Sequence, residues 1–145
     1  MRAPDADFKN VFKGFEMRRM DARDPAIQAR IDAFYDKMKT MKAEHVSDAY
    51  TWFGLFKDGV AHLVAAVHFR PDKAIEITDF YPAPTRDGAD AGYVLLNLMK
   101  ILVDRKIIPF WIGGIVDGNI FGKRHVEKFF GIKPRCSVYV YEGTP

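Results

Sequence analysis

Cysteine is almost missing from this chain: Cys136 is the only one in 145 residues. That excludes an internal disulfide and any zinc site built on cysteine pairs, and it fits a reducing compartment. Long apolar runs are missing too. The stretch Met1–Val11 is polar, so no secretion signal is expected there, and the most apolar stretch, Val94–Val103, is too short and too interrupted to span a bilayer. Charge of one sign is not concentrated. The 22 Lys and Arg stand against 19 Asp and Glu, a net charge of +3, with only short clusters at Arg18-Arg19 and Lys123-Arg124. Such a balance suits anionic small molecules as well as nucleic acid and does not point to a DNA-binding protein. There is no repeat, no low-complexity segment and no linker. The expectation is therefore a cytoplasmic protein with no membrane segment, a single domain over residues 1–145 with residues 1–13 loosely held.

What is present is a rich core: 48% of the residues are hydrophobic and 14% aromatic, enough for one well-packed domain. Phe15–Met20 reads as a first strand. Asp24-Pro25 reads as a helix cap followed by proline in the first turn, with Ile27, Ile31, Phe34, Met38 and Met41 forming one apolar stripe. Tyr50–Lys57 and Val60–Phe69 are strands joined by Asp58-Gly59, a dipeptide that tolerates positive φ at both turn positions. After a turn at Arg70-Pro71-Asp72-Lys73, Ala74–Tyr81 forms the next strand. Asp90 is a cap for a helix over Ala91–Lys106, and Ile107–Val116 is a short strand. Asp117-Gly118 turns the chain into a last helix, Asn119–Phe130, which Gly131 ends, and Arg135–Glu142 is a final strand. The order β-α-β-β-β-α-β-α-β implies an α+β fold, a mixed and mostly antiparallel sheet with helices on both faces.

The segment from Tyr81 to Tyr93 runs from a strand through a charged loop onto a helix start, where free amides and the helix dipole favour an anion. Other chemistry is thinly signalled. His62 and His68 are separated by roughly 20 Å along one strand and cannot share a metal there. Cys136 stands among Val138 and Val140 on its face and reads as a small buried hydrophobe. No Ser-His-Asp or metal-ligand spacing is present, so no metal site is expected.

The order of elements over residues 15–142 resembles the GNAT superfamily of acyl-CoA-dependent N-acetyltransferases. Three local features carry the resemblance: a fourth strand ending in Pro82 before an arginine-bearing loop, Asn119 at the start of the last helix, and the closing phrase Val126-Glu127-Lys128-Phe129-Phe130-Gly131-Ile132-Lys133-Pro134. The family's phosphate loop has Arg or Gln, two residues, Gly, one residue, then Gly or Ala. Registered on Arg86, this chain offers Arg86, Ala89 and Ala91, so alanine stands where the central glycine would be; registered on Gly88, the pattern runs from Thr85 to Asp90. Close approach of amides to a diphosphate leaves little room for side chains, and Asp87 and Asp90 add negative charge.

The resemblance implies acetyl-CoA as cosubstrate, with Phe80, Tyr81, Arg86, Asp87, Gly88, Ala89, Asp90, Ala91 and Asn119 along its cleft. It implies direct attack of a primary amine on the thioester in a ternary complex, which needs a general base. Glu76 and Asp79 are the candidates, and strict alternation places Glu76, Thr78 and Phe80 on one face and Ile75, Ile77, Asp79 and Tyr81 on the other. The family's acid, a tyrosine of the last helix, is replaced by Val126 or Glu127. His125 is the adjacent titratable group, with Tyr81 and Tyr139 as more remote options.

Two further readings stand beside this one. A GNAT-fold relative without catalysis, serving as a binding or assembly module, fits the altered loop and the aromatic strands (Tyr50, Trp52, Phe53, Phe56, Tyr139, Tyr141), and small acetyltransferase-like proteins of phages resemble it in size. A nucleic-acid binder is the third. The amine acceptor, small molecule or protein, is not named by any cluster in the first helix or hairpin, and a homodimer stays open as an assembly.

Overall fold

The computed structural model describes residues 11–38, 46–115, 120–134 and 138–143. Six strands form one sheet in the order β1-β2-β3-β4-β5-β6: β1 Glu16–Met20, β2 Thr51–Lys57, β3 Val60–Phe69, β4 Ile75–Pro82, β5 Trp111–Gly113 and β6 Tyr139–Tyr141. All neighbours are antiparallel except β4 and β5, which are parallel. Three helices complete the fold: α1 Pro25–Met38, α2 Arg86–Asp104 and α3 Ile120–Phe130. This is the α+β architecture that the pattern of elements predicts.

Local chemistry explains most of these boundaries. The amide of Ala26 donates to Asp24 Oδ1 at 2.9 Å, so Asp24 caps α1 ahead of Pro25. Asp58 and Gly59 take φ of 52° and 76°, the paired positive values of a two-residue hairpin that matches strand twist. Gly131, at φ 68°, stops α3.

The helices cover opposite faces. Ile27 and Ile31 of α1 pack on Trp52, Val64 and Ala66 from one side of the sheet. From the other side α2 lays Val94, Leu95 and Leu98 on Leu55, Leu63 and Ala65. Farther along, Met99 and Val103 join Val126 and Phe130 of α3 over Ile75, Trp111 and Tyr141.

Three boundaries differ from the sequence reading. Helix α2 begins at Arg86 under a Thr85 cap, so Asp90 is an exposed residue inside the helix and not its cap. Strand β5 starts only at Trp111 because the apolar run before it is taken up by the end of α2. There Lys106 adopts φ 61°, and the amides of Ile107 and Ile108 return to the Leu102 carbonyl at 2.9 and 3.2 Å. Third, strand alternation is broken twice. His62 is the extra residue of a bulge opposite the Leu55/Phe56 step, and Thr78 is the extra residue of a bulge opposite Ala66/Val67. Asp117, Gly118, Asn119 and Cys136, and the Met41 end of the first stripe, lie outside the described residues.

Candidate active site

The parallel pairing of β4 with β5 starts at Ile75↔Trp111 and ends at Ile77↔Gly113, while β4 itself runs on to Pro82. From Thr78 onward the β5-facing edge of β4 has no strand partner among the described residues. The gap so formed is a cavity of about 520 Å³, within the range of small-molecule sites. Its walls come from both faces of the sheet: Phe34 and Tyr35 of α1 on one side, Gly88, Ala89, Gly92 and Tyr93 of α2 with His125 and Val126 of α3 on the other. Five glycines, Gly88, Gly92, Gly113, Gly114 and Gly122, stand on its wall, so much of that wall is bare backbone.

The start of α2 forms one end. Thr85 is extended (φ −136°, ψ 170°), and its hydroxyl accepts from the Gly88 amide at 3.1 Å. The Ala89 amide is already bonded to the Thr85 carbonyl at 3.0 Å. That leaves the amides of Arg86 and Asp87 without helical acceptors at the positive end of the helix dipole. A Cβ on Gly88 would sit 1.9 Å from the Ala83 carbonyl oxygen. Gly88 is therefore the residue with no room for a side chain, a role the Arg86-based register assigns to Ala89. Ala91 is fully buried in the core beneath α2, away from the cavity. Asp87 lies 3.7 Å from Lys57 Nζ in a partly exposed ion pair.

The Thr78 bulge decides what the other end contains. Strict alternation would put Asp79 and Tyr81 with Ile75 and Ile77 under α2. Instead, the inserted residue turns Tyr81 toward α1, where it packs with Tyr35 and the Ile27–Ile31 cluster, while Phe80 packs on the α2 side. The Tyr81 hydroxyl donates to Asp79 Oδ1 at 3.0 Å. Its phenol is held well above the usual tyrosine range, first by burial, then by the charge of Asp79 and by Tyr35. Phe34, Tyr35 and Tyr81 make a mutual cluster, with ring centroids 5.4 to 6.0 Å apart.

On the α2–α3 side, Tyr93 Oη and His125 Nδ1 share a hydrogen bond of 2.8 Å. Tyr139 is buried and donates to Glu127 Oε2 at 2.5 Å, and burial followed by this bond pushes its phenol up to about 12.

Of the residues singled out in the sequence, Asp79, Phe80, Tyr81, Gly88, Ala89 and His125 come together on the cavity wall. Glu76 sits opposite His68 and Ile112 in the sheet, and Glu76, Arg86, Asp87, Asp90 and Ala91 are not on that wall. Asn119 lies outside the described residues. Nothing in the sequence marks Phe34, Tyr35 or Tyr93 as wall residues; Phe34 belongs to the apolar stripe of α1 and yet lines the cavity. Gly113-Gly114, just where β5 parts from β4, was the available signal. Among the described residues there is no group of three or more potential metal ligands and no helix long and apolar enough to cross a membrane.

No protein-family model matches this sequence, and no curated protein sequence matches it. Solved structures do match in fold. The PaiA N-acetyltransferase from Thermoplasma acidophilum, in complex with coenzyme A, aligns with a TM-score of 0.64 at 14% identity, over 90% of this chain and 99% of that one. The ribosomal-protein-S18-alanine N-acetyltransferase from Escherichia coli aligns with a TM-score of 0.63 at 12% identity, over 90% and 96%. A GNAT-family acetyltransferase from Listeria monocytogenes aligns with a TM-score of 0.61 at 14% identity, over 88% and 92%. The chain has the GNAT fold.

Proposed function

We propose that this GNAT-fold chain is an N-acetyltransferase that moves an acetyl group from acetyl-CoA to a primary amine by direct attack in a ternary complex. The observation that carries the reading is the cavity between β4 and β5, which is walled from both faces of the sheet and so can receive two substrates from opposite sides. Its fit to acetyl-CoA rests on the unpaired edge of β4, the two amides at the start of α2 and the side-chain-free approach at Gly88. Acetyl-CoA supplies a thioester carbon to which the amine nitrogen bonds as the C–S bond breaks and the sulfur leaves as thiolate.

The protein's own groups then have distinct tasks. Of the two amides that the resemblance implies, that of Phe80 faces the open edge of β4. The Ala83 amide bonds the His62 carbonyl on the β3 side, and the Tyr81 amide, two residues back, points the same way. The Phe80 amide hydrogen-bonds the extended arm and polarises the carbonyl oxygen. The Arg86 and Asp87 amides, with the Arg86 side chain, hold the diphosphate. Asn119, the residue before α3 in the sequence, is assigned to the cofactor on the resemblance alone. Of the two β4 carboxylates, Asp79 is on the cavity wall, so we assign it rather than Glu76 to take the proton that the amine must lose, directly or through a water. His125, oriented by Tyr93, is the group positioned on the cofactor side to hold a proton near the leaving sulfur.

Titration calorimetry with acetyl-CoA tests the reading. We expect one site per chain in the micromolar range. No heat of binding at millimolar acetyl-CoA would overturn it and leave a binding or assembly module in its place.

A further inference from the structure

The α1-side end of the cavity has its own chemistry. Phe34 and Tyr81 meet edge to face at 5.4 Å and 69°, Phe34 and Tyr35 at 5.4 Å and 82°, and Tyr35 and Tyr81 at 6.0 Å and 50°. All three rings line the same cavity and so form an aromatic corner around a shared space. Beside them is Asp79, whose Oδ1 accepts from Tyr81 and whose Oδ2 bonds no described residue. Among the described residues, Asp79 is the only carboxylate on the cavity wall, and none of the described wall residues is a lysine or arginine.

From this we infer that the α1-side end of the cavity is a recognition site for an aliphatic ammonium group without a neighbouring carboxylate. It makes such a cation, and not a zwitterionic α-amino acid, the class of acceptor. The naming of this ligand as an acceptor rests on the acetyl-transfer reading; the recognition of the cation does not. A ring face attracts a cation within about 6 Å of its centroid, and it does so best where water is excluded. The Asp79 carboxylate adds a charged acceptor for the ammonium N–H groups. The same carboxylate repels an acceptor carrying its own anionic group, and no lysine or arginine among the described wall residues compensates. The Thr78 bulge is what assembles the site, because with Thr78 paired in regular alternation Asp79 and Tyr81 would face α2.

The test is an NMR chemical-shift titration of the whole chain with n-butylammonium, n-butanol and n-butyrate, which share a carbon skeleton and differ in charge. We expect shifts centred on Tyr35, Asp79 and Tyr81, n-butylammonium binding at least tenfold more tightly than n-butanol, and n-butyrate not saturating. Tetramethylammonium should compete with n-butylammonium. Asp79→Asn should weaken n-butylammonium at least tenfold and leave n-butanol within twofold. Equal affinity for n-butylammonium and n-butanol overturns the inference using the unmodified protein alone, so it does not depend on a variant folding. Acetyl-CoA calorimetry on the same sample separates the two claims. Acetyl-CoA binding without ammonium preference sinks the cation site only, and ammonium preference without acetyl-CoA binding sinks acetyl transfer only.

Discussion

The hydroxyl of Thr78 donates to the carbonyl oxygen of Ala66 at 3.1 Å, at the step where β4 carries one residue more than β3. The bond fastens a bulge that turns Asp79 and Tyr81 into the cavity. Bulges commonly serve to re-aim side chains beside active sites, and this one sits where β4 loses its β5 partner.

Removing that bond should cost little in stability. Thr78→Val keeps the side-chain shape and leaves a backbone carbonyl without its partner, so urea denaturation should show a loss of about 1 kcal/mol. Deleting Thr78 is a different change. It joins Ile77 directly to Asp79, so β4 alternates regularly with Asp79 and Tyr81 still on the α1 face. Acetyl transfer should survive the deletion while circular dichroism still reports a folded sheet. Asp79→Asn should cut acetyl transfer sharply with or without Thr78, and full activity in Asp79→Asn would contradict the assignment of Asp79.

Gly88 is a second sensitive point. With Ala83 oxygen only 1.9 Å from where a Cβ would lie, Gly88→Ala must shift backbone and not a flexible side chain. Thermal unfolding should show a loss of about 1–3 kcal/mol, the scale of overpacking in a dense interior. Acetyl-CoA affinity should fall as the start of α2 moves. Ala89→Gly, one residue on at an exposed helical position, should cost only about 1 kcal/mol through helix propensity and leave affinity nearly unchanged.

Tyr139 gives a pH signature. Its folded-state phenol lies at about 12, above the ordinary 10.0, because burial and the bond to Glu127 favour the protonated form. The folded state thus keeps a proton that the unfolded chain gives up near pH 10. The associated stability is fully present below pH 10 and is lost as pH rises through about 12. Tyr81 is shifted in the same direction. Urea midpoints should therefore be flat up to pH 10 and fall above it, and Tyr139→Phe should make that fall shallower without abolishing it. An unchanged slope in Tyr139→Phe would show that Tyr139 does not hold its proton in the fold.

Much of the scaffold was readable from residue chemistry, and the reasons are local. Asp24-Pro25, Asp58-Gly59 and Gly131 each carry a conformational preference that nothing distant overrides, and each sits where it was expected. The site was less readable because distant packing sets its key positions. Threonine is an ordinary strand residue, so nothing at Thr78 announces that β3 will pair one residue short. Thr85 and Asp90 are both good caps, and the choice falls to Thr85 because Gly88 alone can nest against Ala83. The run Ile107–Phe110 has strand composition, but the Leu102 carbonyl captures its first two amides before a strand can form.

That same early helix start sets two effects of Asp87 against each other. Asp87 is in the first turn of α2, where a carboxylate stabilises the helix dipole by about 0.3–1 kcal/mol at an exposed position. It is also adjacent to the amides proposed to receive a diphosphate, and Lys57 at 3.7 Å offsets only part of its charge, since both side chains are partly exposed. Asp87→Asn removes both effects at once. Thermal stability should drop by a fraction of that range, while acetyl-CoA affinity should rise by about two- to fivefold, the same range expressed as a binding ratio. Added salt should shrink both changes, because exposed charges are screened within roughly 10 Å at 0.1 M. Calorimetry at two ionic strengths reads the affinity and differential scanning reads the stability. A variant that loses stability without gaining affinity would place the diphosphate elsewhere than the start of α2.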